Sequence, residues 1–199
     1  MNRSVVLASR NPKKLAEMQA LLAPLGWNVH LVAEFTDEAA AETASTFIEN
    51  ALLKARHAAR ISGLPAIADD SGLEVDALNG APGVRSARYA GDDATDDANN
   101  RRLLTALRDV ADQQRGARFV SVIVLLRHPD DPTPLIAQGL WRGCIVREPK
   151  GTNGFGYDPL FFVPDQGCTA AELTAEIKNR ISHRARASAV LTEALRRGD

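Results

Sequence analysis

The chain has 199 residues, 45% hydrophobic and 25% charged, and its 24 Lys and Arg against 25 Asp and Glu leave a formal net charge of -1. That length buries a sizeable core without staples, and the near-neutral balance argues against a protein living on nucleic-acid backbone or an anionic membrane. No stretch approaches the ~20 apolar residues of a membrane span, the apolar run in "MNRSVVLASRNPKK" is too short for a signal peptide, and Cys144 and Cys168 form neither CxxC nor zinc spacing, so a free-thiol cytoplasmic protein is expected.

"SVVLA" (4–8) reads as a buried strand, and "NPKKLAEMQALLAPLG" (11–26) as a helix with Leu15, Met18, Leu22 and Leu25 at helical spacing, ended by Pro24 and Gly26. "WNVHLV" (27–32) is a second strand, followed by an Ala- and acid-rich loop over 33–45. In "TFIENALLKARHAARIS" (46–62), Thr46 and Glu49 have capping-box spacing, and Phe47, Ala51, Leu52, Ala55 and Ala59 make an apolar stripe. "PAIAD" (65–69) is a strand, and "LEVDAL" (73–78) another beyond a turn at Ser71 and Gly72. "NGAPG" (79–83) is a loop and "DDANNRRLLTALRDV" (96–110) a helix. The β-branched run "ARFVSVIVLLR" (117–127) predicts a central strand, and "PLIAQGLWRGCIV" (134–146) continues the sheet, with bulges expected at Gly139 and Gly143. "GTNGFGYDP" leads into "LFFVP", and two helices close the chain, one in "TAAELTAEIKNR" from a Thr169/Glu172 capping box and one capped by Ser182. The pattern predicts a mixed α/β protein with a central sheet, folding as one unit over 1–199.

The adjacent carboxylates of "IADDSG", Asp69 and Asp70, repel each other and are costly to bury. Successive strand side chains point to opposite faces, so a regular strand cannot make them a facing acid–base pair. At a strand end the chain bends and one or both can reach a cleft, where aspartates hold Mg²⁺ or activate water. The bland alternative is a solvated turn capped by its own aspartates. A nucleophile of the haloacid-dehalogenase type wants Asp-x-Asp, and Ser71 stands two residues after Asp69.

"SRNPKK" (9–14) lies between a strand and a helix start, where an anion is favoured, and it carries Ser9, Asn11, Lys13 and Lys14 without a P-loop pattern. Asn50, Lys54 and His57 form a polar stripe; such a stripe is usually solvated, but Lys54 would reach phosphate if that face lines the site. "GFGYD" (154–158) combines two glycines, two aromatics and a carboxylate, suited either to stacking on a base or to a turn with its aromatics in the core. "ISHRARA" places His183 and Arg184 at a helix start, an anion or carbonyl site or simply a capped terminus.

Together "SRNPKK", "ETASTFIENALLKA", "PAIADDSGLEVDALNGAPGVRSARYAG", "GTNGFGYDPLFFVP" and "KNRISHRARA" resemble the Ham1/RdgB family of pyrophosphatases acting on non-standard purine nucleoside triphosphates, from Val5 to about Leu195. The resemblance implies a long, bent mixed β-sheet with flanking helices forming two lobes around a central cleft, and a homodimer. It also implies Mg²⁺-dependent conversion of ITP, dITP and XTP to monophosphate plus pyrophosphate. Carried over residue by residue, Ser9, Asn11, Lys14 and Lys54 match phosphate-binding positions. Asp70 matches the general base, also linked to the metal, with Asp69 in support and Ser71 as a substrate contact. Phe155, Gly156, Tyr157 and Asp158 match the base-binding segment, and Lys178, His183 and Arg184 the residues closing over the purine. Two departures stand out: Lys13 occupies a position usually held by glycine, where an unusual backbone angle would be harder for lysine, and an expected acidic pair is Ala41 and Glu42, leaving Glu42 as the second metal ligand. The rival readings are a Maf-like nucleotide pyrophosphatase, whose signature lacks "FGYD…SHR", and a module that binds nucleotide without turning it over.

Overall fold

The computed structural model describes residues 3–198; Met1, Asn2 and Asp199, the ends of the range expected to fold as one unit, lie outside the described residues. Seven strands form a mixed sheet in the order β2-β1-β3-β4-β5-β6-β7, with β1 (Arg3–Leu7), β2 (Trp27–Leu31), β3 (Ala66–Val75), β4 (Gly116–Leu126), β5 (Leu135–Ile145), β6 (Phe161–Val163) and β7 (Cys168–Thr169). β1 runs parallel to β2 and β3, whereas β6 is antiparallel to β5 and β7. The helices are α1 (Pro12–Leu22), α2 (Phe47–Ser62), α3 (Asp96–Ala106), α4 (Ala175–Ile181) and α5 (His183–Arg197). Among the described residues no helix is long and apolar enough to cross a membrane.

The chain divides into two compact units interleaved in sequence. The first ends its opening segment at Asp70, adds Val122–Gln138 and resumes at Ala187; the second holds Ser71–Ser121 and Gly139–Arg186.

In the first unit the alternation of strand side chains sorts the helices. Val5, Leu7 and Ile67 pack with Leu22 of α1 and Leu191 of α5, while Val6 and Ala66 pack with Ala58 and Ala59 of α2. In this unit the odd-numbered positions of β3 therefore face α1, and the even-numbered ones face α2. The second unit has its own core, in which Leu73, Leu103, Phe119, Trp141, Tyr157 and Phe161 are buried.

Several expectations change. β3 is one continuous strand from Ala66 to Val75, with no turn at Ser71 and Gly72. It lies between β1 and β4, so ladder partners on both sides outweigh the turn preference of a Ser-Gly pair. Asp70 thus sits in mid-strand, not at a strand end. β5 is likewise unbroken, and Gly143 serves close approach: a Cβ there would run into the Phe162 carbonyl and lie 2.7 Å from Phe161 Cζ. Glu172 does accept from the N–H and hydroxyl of Thr169, at 2.7 and 2.9 Å, but this closes a turn. The N–H groups of Ala170 and Ala171 are already given to the carbonyls of Phe161 and Asp158, so no helix starts there; α4 begins at Ala175, capped by Thr174. α3 stops at Ala106, short of the expected 110, and the buried Arg115 guanidinium takes the Leu107 carbonyl at 2.7 Å.

The cap of α2 matches its spacing. Thr46 Oγ1 accepts from the Glu49 N–H at 3.2 Å and donates to the Glu49 carboxylate at 2.7 Å. Ser182 caps α5 by accepting from the Ala185 N–H at 3.3 Å.

Candidate active site

The first unit holds one cluster, built from β3 and the two helices beside it. Asp69, odd-numbered, points toward α1, and Lys14 in the first turn of that helix donates to both its carboxylate oxygens at 2.9 and 2.7 Å. Asp70, even-numbered, points toward α2, and Lys54 donates to its Oδ1 at 2.9 Å. The two aspartates are separated by the sheet, and each carries its own lysine.

Lys54 also lies 3.3 Å from Glu42 Oε1, so one ammonium serves two carboxylates. The Lys54 and Asp70 side chains are only 13% and 12% exposed, which places the pair largely out of water. Asp70 Oδ2 is buried and has no hydrogen-bond partner. Burial lifts the Asp70 carboxyl above its ordinary value of 3.8; the Lys54 charge and hydrogen bond oppose the rise, the Glu42 charge adds to it, and the Asn50 amide opposes it. For Lys54, burial works against the ammonium, but Asp70 first, then Glu42 and Asp69, outweigh it and hold the group above its ordinary value.

The polar stripe of α2 is therefore not a solvated face. Asn50 is fully buried and its Oδ1 accepts from the Ala44 N–H at 3.0 Å, which ties the 43–45 segment, next to Glu42, to the helix. His57 makes only a long contact, 3.4 Å, to the Glu38 carbonyl. Before α1, Ser9 Oγ accepts from the Asn11 N–H at 3.1 Å and Asn11 Oδ1 accepts from the Lys13 N–H at 2.9 Å, so both side chains cap the helix start. Lys13 takes part in α1, and Asn79 is the one non-glycine residue with positive φ among the described residues, so lysine meets no backbone penalty at that position.

Among the described residues no group of three or more His, Cys, Asp or Glu could hold a metal ion. Glu42 and Asp70 nonetheless fit a hard divalent cation. Mg²⁺ in phosphate chemistry is commonly held by one or two carboxylates, with substrate oxygens and water completing its shell. The buried, unpartnered Oδ2 of Asp70 is the donor such an ion lacks elsewhere in the cluster.

The second unit holds the other cluster. Phe155 is 58% exposed, an unusual position for a large aromatic, and the Lys178 ammonium and Arg184 guanidinium lie 5.1 and 5.0 Å from its ring centre. Asp158 is buried, accepts from the Phe155 N–H at 2.8 Å and pairs with Lys178. Arg184 Nη2 is 3.4 Å from Ser71 Oγ, and Arg184 Nε is buried without a partner. The His183 ring stacks on Phe119, 4.8 Å between centres and 13° between planes, with Trp141 beyond it. Tyr157 is different: it is 4% exposed, donates its hydroxyl to the Ser86 carbonyl at 2.8 Å, and burial pushes its phenol well above the usual range. Its ring belongs to the core, and Phe155 is the exposed aromatic face of the segment.

Two residues that sequence reasoning passed over hold this segment. Asp96 accepts from the Gly156 N–H at 2.6 Å and Asn100 donates to the Gly156 carbonyl at 2.9 Å. They lie four residues apart on α3, so the helical period puts both on one face; that spacing was the available signal.

The sequence profile of the Ham1 family matches residues 5–194. The chain is 58% identical over 196 residues to the dITP/XTP pyrophosphatases of Shigella flexneri and Escherichia coli O157:H7, covering 98% of this chain and 100% of each of those. The structure of a HAM1 protein from Coxiella burnetii superimposes with a TM-score of 0.95 at 52% identity, covering 98% of this chain and 99% of that one.

Proposed function

Since the chain belongs to the Ham1 family, we propose that it hydrolyses the non-standard purine nucleoside triphosphates dITP, XTP and ITP to the monophosphate and pyrophosphate. The observation that carries the chemistry is the state of Asp70: buried, tied to Lys54 through Oδ1, with Oδ2 unpartnered. A carboxylate whose pKa is raised by burial is a better proton acceptor, which supports Asp70 as the group that takes a proton from water. The water oxygen bonds to phosphorus at the α–β anhydride, its proton passes to Asp70, and the electron pair of the breaking P–O bond leaves with the pyrophosphate. Lys54 and Lys14 offset charge on the triphosphate and on the departing group. A divalent cation, for which Mg²⁺ is the natural candidate, would be held by Glu42 and Asp70 and would supply further charge neutralisation at the phosphates. Asp69 holds Lys14 in place and adds negative charge that Lys54 feels across the strand.

The second cluster reads the purine. Phe155 offers a face for stacking. Hypoxanthine and xanthine present a 6-oxo acceptor and an N1–H donor, whereas adenine has the opposite polarity at both positions. Arg184 and Lys178 supply donors and Asp158 an acceptor, a set matched to the first pattern and left unpaired by the second. Sites of this kind discriminate by roughly 10⁴-fold. Replacing Asp70 by Asn keeps an acceptor for Lys54 and removes the base; the expected result is a folded protein by circular dichroism with turnover lowered about 10²-fold or more. Near-normal pyrophosphate release by D70N would end the assignment.

A further inference from the structure

Lys54 occupies the position between the two carboxylates that would hold the metal. Its Nζ is 2.9 Å from Asp70 Oδ1 and 3.3 Å from Glu42 Oε1, and its side chain is largely shielded from water. A monocation in that position and a divalent cation on the same carboxylates would repel strongly, because little solvent stands between them to screen the charges. Phosphate oxygens would offer the Lys54 ammonium acceptors in exchange for the two carboxylates.

We propose that Lys54 is the resting counter-ion of Glu42 and Asp70: without nucleotide it holds both carboxylates and keeps a free divalent cation off them, and it exchanges them for phosphate when a triphosphate arrives. The inference rests on the reading that these two carboxylates are the cation's ligands. Its consequence is an order of binding. The cation enters with the nucleotide or after it, never stably before it, and the same lysine that later neutralises phosphate prevents idle metal loading. Asn50 supports the arrangement: it holds the segment after Glu42 through the Ala44 N–H, so Glu42 stays within reach of Lys54.

The structure offers a conservative way to remove the charge alone. In Lys54→Gln an amide N–H remains to donate to Asp70, while Lys54→Arg keeps the positive charge. The experiment titrates each full-length protein, without nucleotide, with Mn²⁺ and reads free Mn²⁺ by electron paramagnetic resonance, with folding checked by thermal unfolding. K54Q is expected to bind Mn²⁺ roughly tenfold more tightly than the wild type, or better still, on Coulombic grounds, and K54R to bind as weakly as the wild type. Adding Asp70→Asn to K54Q should abolish the gain. If K54Q binds no more tightly than the wild type, or K54R gains as much as K54Q, the counter-ion role is wrong while Glu42 and Asp70 remain candidate ligands. If the gain survives both Asp70→Asn and Glu42→Gln, the cation binds elsewhere, and the assignment of those ligands falls with the proposal.

Discussion

Gly154→Ala is a small change with a large expected effect. Gly154 has φ +80°, a backbone conformation that costs alanine about 1–2 kcal/mol. Its new Cβ would collide with Asp158 Oδ2 and lie 2.9 Å from Lys178 Nζ and 3.0 Å from Asp158 Cγ. Those atoms belong to the buried carboxylate that accepts from the Phe155 N–H at 2.8 Å and pairs with Lys178. Moving the carboxylate forfeits a hydrogen bond to a charged group, worth about 1.5–3 kcal/mol. Together the two effects come to about 2.5–5 kcal/mol. At about 2–4 °C per kcal/mol for a chain of this size, thermal unfolding should fall by about 5–20 °C. Phe155 would lose its anchor, so KM for dITP should rise by about tenfold or more, with kcat less affected because Asp70 and Lys54 lie in the other unit. Differential scanning fluorimetry and steady-state pyrophosphate release read both effects. A variant with wild-type melting temperature and KM would refute the view that Asp158 holds the Phe155 segment.

Two further expectations concern charge and base. Asp70 must be ionised to accept a proton and its pKa is raised, so the acidic limb of kcat/KM against pH should lie above the ordinary aspartate value of 3.8. K54Q should move that limb higher still, since Lys54 favours the ionised form; a limb that moves down or stays put would contradict the coupling. For stability the sign is reversed: with its folded pKa raised, Asp70 contributes most below its unfolded pKa, and the contribution is lost as pH rises through the folded one. Arg184→Ala should reduce the preference for dITP over dATP by about tenfold or more, measured as a ratio of kcat/KM; an unchanged ratio would remove Arg184 from base reading.

Local rules made much of this legible in the sequence. The Thr46 and Glu49 spacing named the start of α2, and the β-branched run over 117–127 named the longest buried strand. The alternation of strand side chains kept Asp69 and Asp70 from being read as a facing pair, and the structure has them on opposite faces with separate lysines. What misled were local signals overridden by long-range partners. Ser71 and Gly72 look like a turn until β3 is placed between β1 and β4. Thr169 and Glu172 make the interactions of a helix cap where the carbonyls of Phe161 and Asp158 have already claimed the next N–H groups. Phe155 and Tyr157 are indistinguishable by composition, and only the Ser86 carbonyl separates the core ring from the exposed one. Helical spacing pairs Asp96 with Asn100, but no periodic pattern connects that pair to Gly156, or Lys54 to Glu42 and Asp70.

The most direct measurement is pyrophosphate release from dITP, XTP, ATP and GTP, with UTP and CTP as controls, each with and without Mg²⁺. Fast, metal-dependent release from dITP and XTP, with ATP, GTP and the pyrimidines slower by orders of magnitude, is the expected result. Equal rates across the purines, preference for a pyrimidine triphosphate, or tight nucleotide binding without any release would contradict the account.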